Sequence, residues 1–135
     1  MKPIENTANL IGRILIASLF LPAGVSKLMS FDGTVAYFTS LGMVIPSLMT
    51  IGVIAIEILG GLALILGYKT RIAAVVLALF TIGASIIGHA YWAAPADQAF
   101  VAKLLFYKNM AIVGGLLILA AVGAGQLSVD KAKSK

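Results

Sequence analysis

The sequence predicts an all-α integral membrane protein: a four-helix bundle with a short interfacial helix between its first two spans. Three observations carry this. Of 135 residues, 61% are hydrophobic and only 11% are charged, with a mean hydropathy of +1.06; soluble domains hold about 45–50% apolar and about 25% charged residues. A water-soluble chain this short leaves much of its surface exposed and could not hide so much apolar area. Finally, the apolar residues fall into four stretches, at about 8–29, 46–66, 72–92 and 100–122. Each is long enough to cross about 30 Å of hydrocarbon at about 1.5 Å per residue. Residues 1–125 thus form one four-span membrane domain, and 126–135 a polar, basic C-terminal tail expected to be mobile.

The first stretch runs uninterrupted from Ile14 to Ser26 between Arg13 and Lys27. Arg13 breaks the charged-then-apolar order of a secretory leader, and no small-residue cleavage site follows cleanly, so it is expected to be an uncleaved span. Pro22 should kink it or free a carbonyl, which membrane helices tolerate when neighbours satisfy the group. Ser30-Phe31-Asp32-Gly33 reads as a turn with capping residues. Val35, Tyr37, Phe38 and Leu41 then outline a helix too short to span, stopped by Gly42 and Pro46 and placed in the interface. The second span is interrupted only by Glu57, the third is uncharged as far as His89, and the fourth opens among Lys103, Lys108 and Asn109. Gly67-Tyr68-Lys69-Thr70 and Ala94-Pro95-Ala96-Asp97 are the tight connections.

With an even number of spans, one side receives Lys2, Arg13, Lys69, Arg71, Lys131, Lys133 and Lys135, and the other keeps Lys27, Lys103 and Lys108. Seven against three places both termini in the cytoplasm by the positive-inside bias. Tyr91 and Trp92 are candidate interfacial aromatics on the far side. The net charge of +5 is scattered between apolar runs, which excludes nucleic acid as a partner. The lipid bilayer is the partner that composition demands. The absence of cysteine removes disulfides, iron–sulfur clusters and Cys-ligated zinc from this chain. Haem is not expected with one histidine and no attachment motif, and no metal site is expected.

Small residues let membrane helices approach closely, and each span carries a stripe of them leading to a polar group. Arg13, Ala17, Phe20, Gly24 and Lys27 share a face of the first span, and Glu57, Gly60, Gly61 and Leu64 a face of the second. Ala74, Ala78, Thr81, Ser85 and His89 line the third, and Lys108, Ala111 and Gly115 the fourth. Taking each span's centre as the midplane, Glu57 falls near it, Lys108 lies further outward, and Lys27 and His89 further still. One outer-half layer therefore collects Lys27, His89, Lys108 and Asn109 above Glu57. Charge at such depth costs about 2.5–3.5 kcal/mol on insertion scales, and intramembrane ionisable residues mark function. Arg13 is expected to snorkel to the cytoplasmic surface, and Lys103 to be a surface charge. Alone, Lys27 would snorkel to the headgroups and His89 would cap or sit in the interface beside Trp92; Glu57 has no such escape.

This constellation can hold an anion, or stabilise charge developing on a carbonyl ligand such as a quinone, while His89 or Glu57 moves protons. The expected catalytic residues are Glu57, His89 and Lys108, and Lys27, Asn109 and Trp92 the cofactor-binding ones, with quinone the candidate cofactor. No Ser/His/Asp arrangement, P-loop or glycine-rich nucleotide loop is present.

Gly12-Arg13 leading into Gly24-Val25-Ser26-Lys27, Glu57-Ile58-Leu59-Gly60-Gly61 with Gly67 and Thr70-Arg71, His89 near Trp92, and Lys108-Asn109 before Gly114-Gly115 together resemble the DoxX family of small bacterial membrane proteins. The resemblance spans roughly residues 8–130 and rests on the order and spacing of the motifs rather than on any one of them. It implies a four-span bundle in the bacterial cytoplasmic (inner) membrane. It also implies kinship with subunits of thiosulfate:quinone oxidoreductase and with proteins of quinone handling and oxidative stress. The segment from Ala93 to Gln98 is shorter and plainer than the family's usual pattern, so a substrate-covering loop is not implied here. The leading expectation is a membrane component of a quinone-linked oxidoreductase or oxidative-stress and sulfur-redox system. The alternatives are a non-catalytic scaffold subunit that recruits an oxidoreductase partner or forms a homo-oligomer, and a small-anion carrier.

Overall fold

The computed structural model describes residues 1–133; Ser134 and Lys135 of the expected tail lie outside the described residues. The described chain forms α1 (Pro3–Met29), α2 (Phe31–Ser40), α3 (Pro46–Leu66), α4 (Thr70–Gly88), a 3-10 turn (Tyr91–Ala93), α5 (Ala99–Val122) and the short α6 (Val129–Lys133). Four segments are long and apolar enough to cross a membrane: Pro3–Met29, Pro46–Leu66, Thr70–Ala93 and Ala99–Val122. No strand occurs among the described residues. The protein is an all-α membrane bundle, as its composition predicts.

The first helix starts earlier than hydropathy suggests. Pro3 occupies its first turn, where a missing N–H costs nothing, and the Lys2 backbone N–H donates to Glu5 Oε2 at 2.7 Å. The helix continues through Pro22 to Met29. Helix α3 ends at Gly67, whose φ of 69° is left-handed, with the Tyr68 N–H returning to the Ala63 carbonyl at 2.9 Å. A side chain at Gly67 would also meet Arg13, whose Nη1 lies 2.8 Å from the position a Cβ would take. Glycine there satisfies both the turn and the close approach.

Helix α1 packs antiparallel on α3, α3 on α4, and α4 on α5, while α2 lies against α3. The α1–α3 crossing is close because both helices present glycine. A Cβ on Gly24 would sit 3.1 Å from the Ile58 N, and one on Gly61 would sit 3.2 Å from the Leu21 N. In α3 the buried stripe is Thr50, Ile54, Glu57, Gly61 and Leu64; in α1 it is Asn6, Arg13, Ala17, Phe20 and Gly24. These match the expected faces of the first two spans, and Ala74, Ala78, Thr81 and Ser85 match that of the third. The core is the cluster of Ala17, Phe20, Leu64, Ala74, Leu77, Ala78, Val113, Leu116 and Leu119.

The fourth span does not follow expectation. Its inward stripe is Val113, Leu116 and Leu119, with Asn109 one turn above Val113. The stripe Lys108, Ala111, Gly115 is rotated by about one residue, roughly 100°: Lys108 and Ala111 are exposed and Gly115 only half-buried. From Met110 to Val122 helix α5 is apolar on every side, so that part of its sequence carries no period from which the packed face can be read.

The end that carries the termini is closed by polar groups. Arg13 is 1% exposed and does not snorkel. Its Nη1 donates to the Leu64 carbonyl at 2.8 Å and to the Ile65 carbonyl at 3.2 Å, its Nη2 to the Leu127 carbonyl at 2.5 Å, and its Nε to Asn9 Oδ1 at 2.8 Å. Last-turn carbonyls of a helix lack intrahelical partners, and Arg13 supplies them at α3. Arg71 does the same for α5, donating to the Ala120 carbonyl at 2.9 Å and to that of Ala121. The described part of the segment after α5 is docked on the bundle, where a free polar tail is expected. Asn9 Nδ2 donates to the Gly123 carbonyl at 2.8 Å, the Gln126 N–H donates to Asn6 Oδ1 at 2.9 Å, and the Asp130 N–H donates to the Gly67 carbonyl at 2.9 Å.

Candidate functional site: a cavity with an internal ion pair

At the end away from the termini, α1, α2, α3 and α4 enclose a cavity of about 650 Å³. Its walls are mostly apolar, including Leu19, Phe20, Phe38, Leu48, Met49, Val53, Ile56 and Phe80. Five polar side chains that a ligand could use line it: Lys27, Tyr37, Glu57, His89 and Asn109. Few polar groups in an apolar pocket of this size is the usual composition of a small-molecule site.

The polar centre is an ion pair. Lys27 Nζ lies 2.8 Å from Glu57 Oε1, with the lysine side chain 30% exposed and the glutamate 6%. The antiparallel α1–α3 crossing makes this pair. Gly24, one turn before Lys27, brings α1 so near that a Cβ there would lie 3.0 Å from the Glu57 Cβ. The Lys27 ammonium is the cation that Oε1 meets, and that oxygen is otherwise buried in the helix contact.

Asn109 reaches the cavity from α5. Its Nδ2 donates to Ser85 Oγ at 3.0 Å, and that hydroxyl donates to the Thr81 carbonyl at 2.7 Å. With its amide nitrogen so held, Asn109 keeps its carbonyl oxygen as an acceptor. His89 caps the C-terminus of α4, its N–H donating to the Ser85 carbonyl at 3.0 Å; it is half-buried on the cavity lining. The cavity thus gathers Lys27, Glu57, His89 and Asn109 from four separate stretches of sequence.

Two expected site residues are not there. Lys108 is exposed on α5 and absent from the lining, because the packed face turns Asn109 inward and its neighbour outward. Trp92 is 58% exposed and belongs to an aromatic cluster instead, with ring centroids 5.2 Å from Tyr91 and 5.6 Å from Phe106.

The structure adds Tyr37, whose hydroxyl would lie 3.9 Å from a Cβ placed on Gly88. The spacing of Tyr37, Phe38 and Leu41 marks an apolar helix face in the sequence, but nothing marks that face as a cavity wall rather than a lipid contact. The Arg13 cluster had a weak signal: Asn9 and Arg13 stand four apart, on one helix face. No group of three or more His, Cys, Asp or Glu placed to hold a metal occurs among the described residues.

Comparison with known proteins follows the same residues. The DoxX family model matches residues 8–90, more than half of the chain. Inner membrane protein YphA of Escherichia coli is 38% identical over 122 residues, covering 90% of this chain and 87% of that protein. Inner membrane protein YqjF of the same organism is 37% identical over 135 residues, covering 100% and 98%. The Bacillus subtilis protein named "Putative oxidoreductase CatD" is 39% identical over 74 residues, 55% of this chain and 54% of its own length. No solved structure matches the chain significantly.

Proposed function

The chain belongs to the DoxX family, and from that premise we propose that it is a membrane component of a quinone-linked oxidoreductase system. In this reading the protein lies in the bacterial inner membrane with both termini in the cytoplasm, and the cavity opens in the outer half. The observation that carries it is the Lys27–Glu57 pair set in the wall of an otherwise apolar cavity of about 650 Å³. The oxidoreductase name of CatD agrees with it.

The donor set fits a quinone. Apolar and aromatic side chains suit a ring and its hydrocarbon tail, and the ammonium, imidazole and phenol can each meet a carbonyl oxygen. A bound quinone would supply two-electron, two-proton redox chemistry. The chain's own part is electrostatic and protonic. Lys27 offers N–H groups that stabilise negative charge on an oxygen, most strongly where water is excluded. Glu57, beside that ammonium, can accept or return a proton within the cavity, and His89 can do so nearer the rim. Asn109 and Tyr37 orient the ligand by hydrogen bonds. Electrons must come from a partner protein or a soluble donor, since no residue here carries them.

Purified protein in inner-membrane lipid should retain quinone on solvent extraction. Glu57→Gln and Lys27→Met should each reduce that retention at least about tenfold, the effect of losing roughly 1.4 kcal/mol. Full retention in both variants would overturn the assignment.

A second reading is favoured by Lys108, which stands exposed on α5 near the middle of a span. An ammonium facing hydrocarbon is costly, and a protein partner or second copy could cover it. On that scaffold reading, Lys108→Leu breaks the complex seen in mild detergent while quinone retention stays intact.

A further inference from the structure

At the opposite end from the cavity, the start of α4 and the end of α5 enclose a shallow recess of about 480 Å³. We propose that this recess binds the phosphate of an anionic phospholipid headgroup. Lys69, Arg71 and Lys131 line it together with one carboxylate, Asp130. That carboxylate is already committed, accepting from the Lys69 N–H at 2.6 Å and the Thr70 N–H at 2.9 Å. It fills the amides that would otherwise draw an anion to the helix start, so the ligand site is made by cations rather than by the helix terminus. Among the residues that line the recess, cations outnumber the carboxylate three to one.

Its remaining lining separates a lipid from a free ion. Ile72 and Val122 border the same recess and are 64% and 49% exposed. They stand at the ends of two membrane spans, where the glycerol and first methylenes of a lipid lie beneath its phosphate. Gly123 and Gly125 complete the opposite wall, at φ of 80° and 70°, and the absence of a Cβ on Gly123 lets the Arg71 guanidinium lie against it. Cations above an apolar rim, at the level where spans leave the hydrocarbon, are the arrangement that basic pockets between membrane helices use for anionic headgroups. Arg71 also holds the α5 carbonyls, so its position is independent of ligand.

Native mass spectrometry of the full chain released from mild detergent tests this, with phosphatidylglycerol, phosphatidylcholine and inorganic phosphate as probes. The wild-type protein should retain one phosphatidylglycerol in preference to phosphatidylcholine. Lys69→Gln with Lys131→Gln should lower that retention at least about tenfold, whereas Lys103→Gln, at the other end, should leave it unchanged. Each single variant, Lys69→Gln or Lys131→Gln, should lose an intermediate share, which serves if the double variant does not fold. Equal retention of the two lipids, equal loss in the Lys103→Gln variant and the double variant, or displacement of the lipid by millimolar inorganic phosphate would overturn the proposal.

Discussion

Arg13 and Leu127, 114 residues apart in the chain, are joined by a 2.5 Å hydrogen bond from guanidinium to carbonyl. Through the same side chain the end of α3 and the docked C-terminal segment are held against α1. A buried guanidinium is stable only if its donors are met, and here carbonyls without helical partners and Asn9 meet them.

Replacing Arg13 with Gln should therefore destabilise the protein by about 3–5 kcal/mol, the cost of breaking a buried charged network. Unfolding in detergent, followed by circular dichroism against temperature or sodium dodecyl sulfate, measures it. A loss under about 1 kcal/mol would mean that the arginine is a surface residue.

Glycine at position 24 should be far more restrictive than at position 12, although both lie in α1. A Cβ at Gly24 would come 2.7 Å from Ile58 Cγ1, whereas at Gly12 nothing lies within 4 Å. Gly24→Ala is expected to cost about 1–3 kcal/mol through overpacking. Gly12→Ala should be neutral or stabilising by up to about 1 kcal/mol. Thermal melts of the pair in one detergent decide between them.

The Lys27–Glu57 contact predicts coupled stability. Lys27→Met strands a buried carboxylate and Glu57→Gln leaves an ammonium without its counter-charge, so each single change is harmful. The double variant should be less destabilised than the sum of the singles, by about 0.5–3 kcal/mol. Strict additivity in a double-mutant cycle would show that the pair does not act as one.

Asp130 gives a pH dependence. Partial burial alone would raise its pKa, but hydrogen bonds from Thr70 and Lys69 and the Arg13 charge outweigh this and hold it below the usual carboxylate range. A depressed folded-state pKa means stability that is fully present above the unfolded value of about 3.9 and lost as pH falls through the lower folded value. Asp130→Ala should cost about 0.5–2 kcal/mol at neutral pH, as loss of a helix cap does. The gap between variant and wild type should narrow steadily as pH falls below about 4 toward the lower folded-state value; a gap that does not narrow with falling pH contradicts the account.

Most of the fold could be read from residue order. Four apolar stretches at membrane length determine four spans, because a bilayer offers backbone polar groups no partner outside a helix. Small residues at helical spacing gave the packed faces of the first three spans correctly: Gly24 and Gly61 are where α1 and α3 meet. The same periodicity placed Glu57 and Lys27 inward.

Tertiary structure alone decided the rest. Which side of α5 packs could not be read from a helix that is apolar all round after Asn109, so of the two neighbours expected in the site Asn109 lines the cavity and Lys108 does not. Whether Arg13 reached water or turned inward depended on carbonyls of Leu64, Ile65 and Leu127, which no local pattern connects to it. Gln126 and Asp130 are held against the bundle for the same reason. Composition and periodicity specify which surfaces avoid water, a property of each helix by itself. Partners for buried polar groups come from other segments, and only the folded chain brings those segments within hydrogen-bond reach.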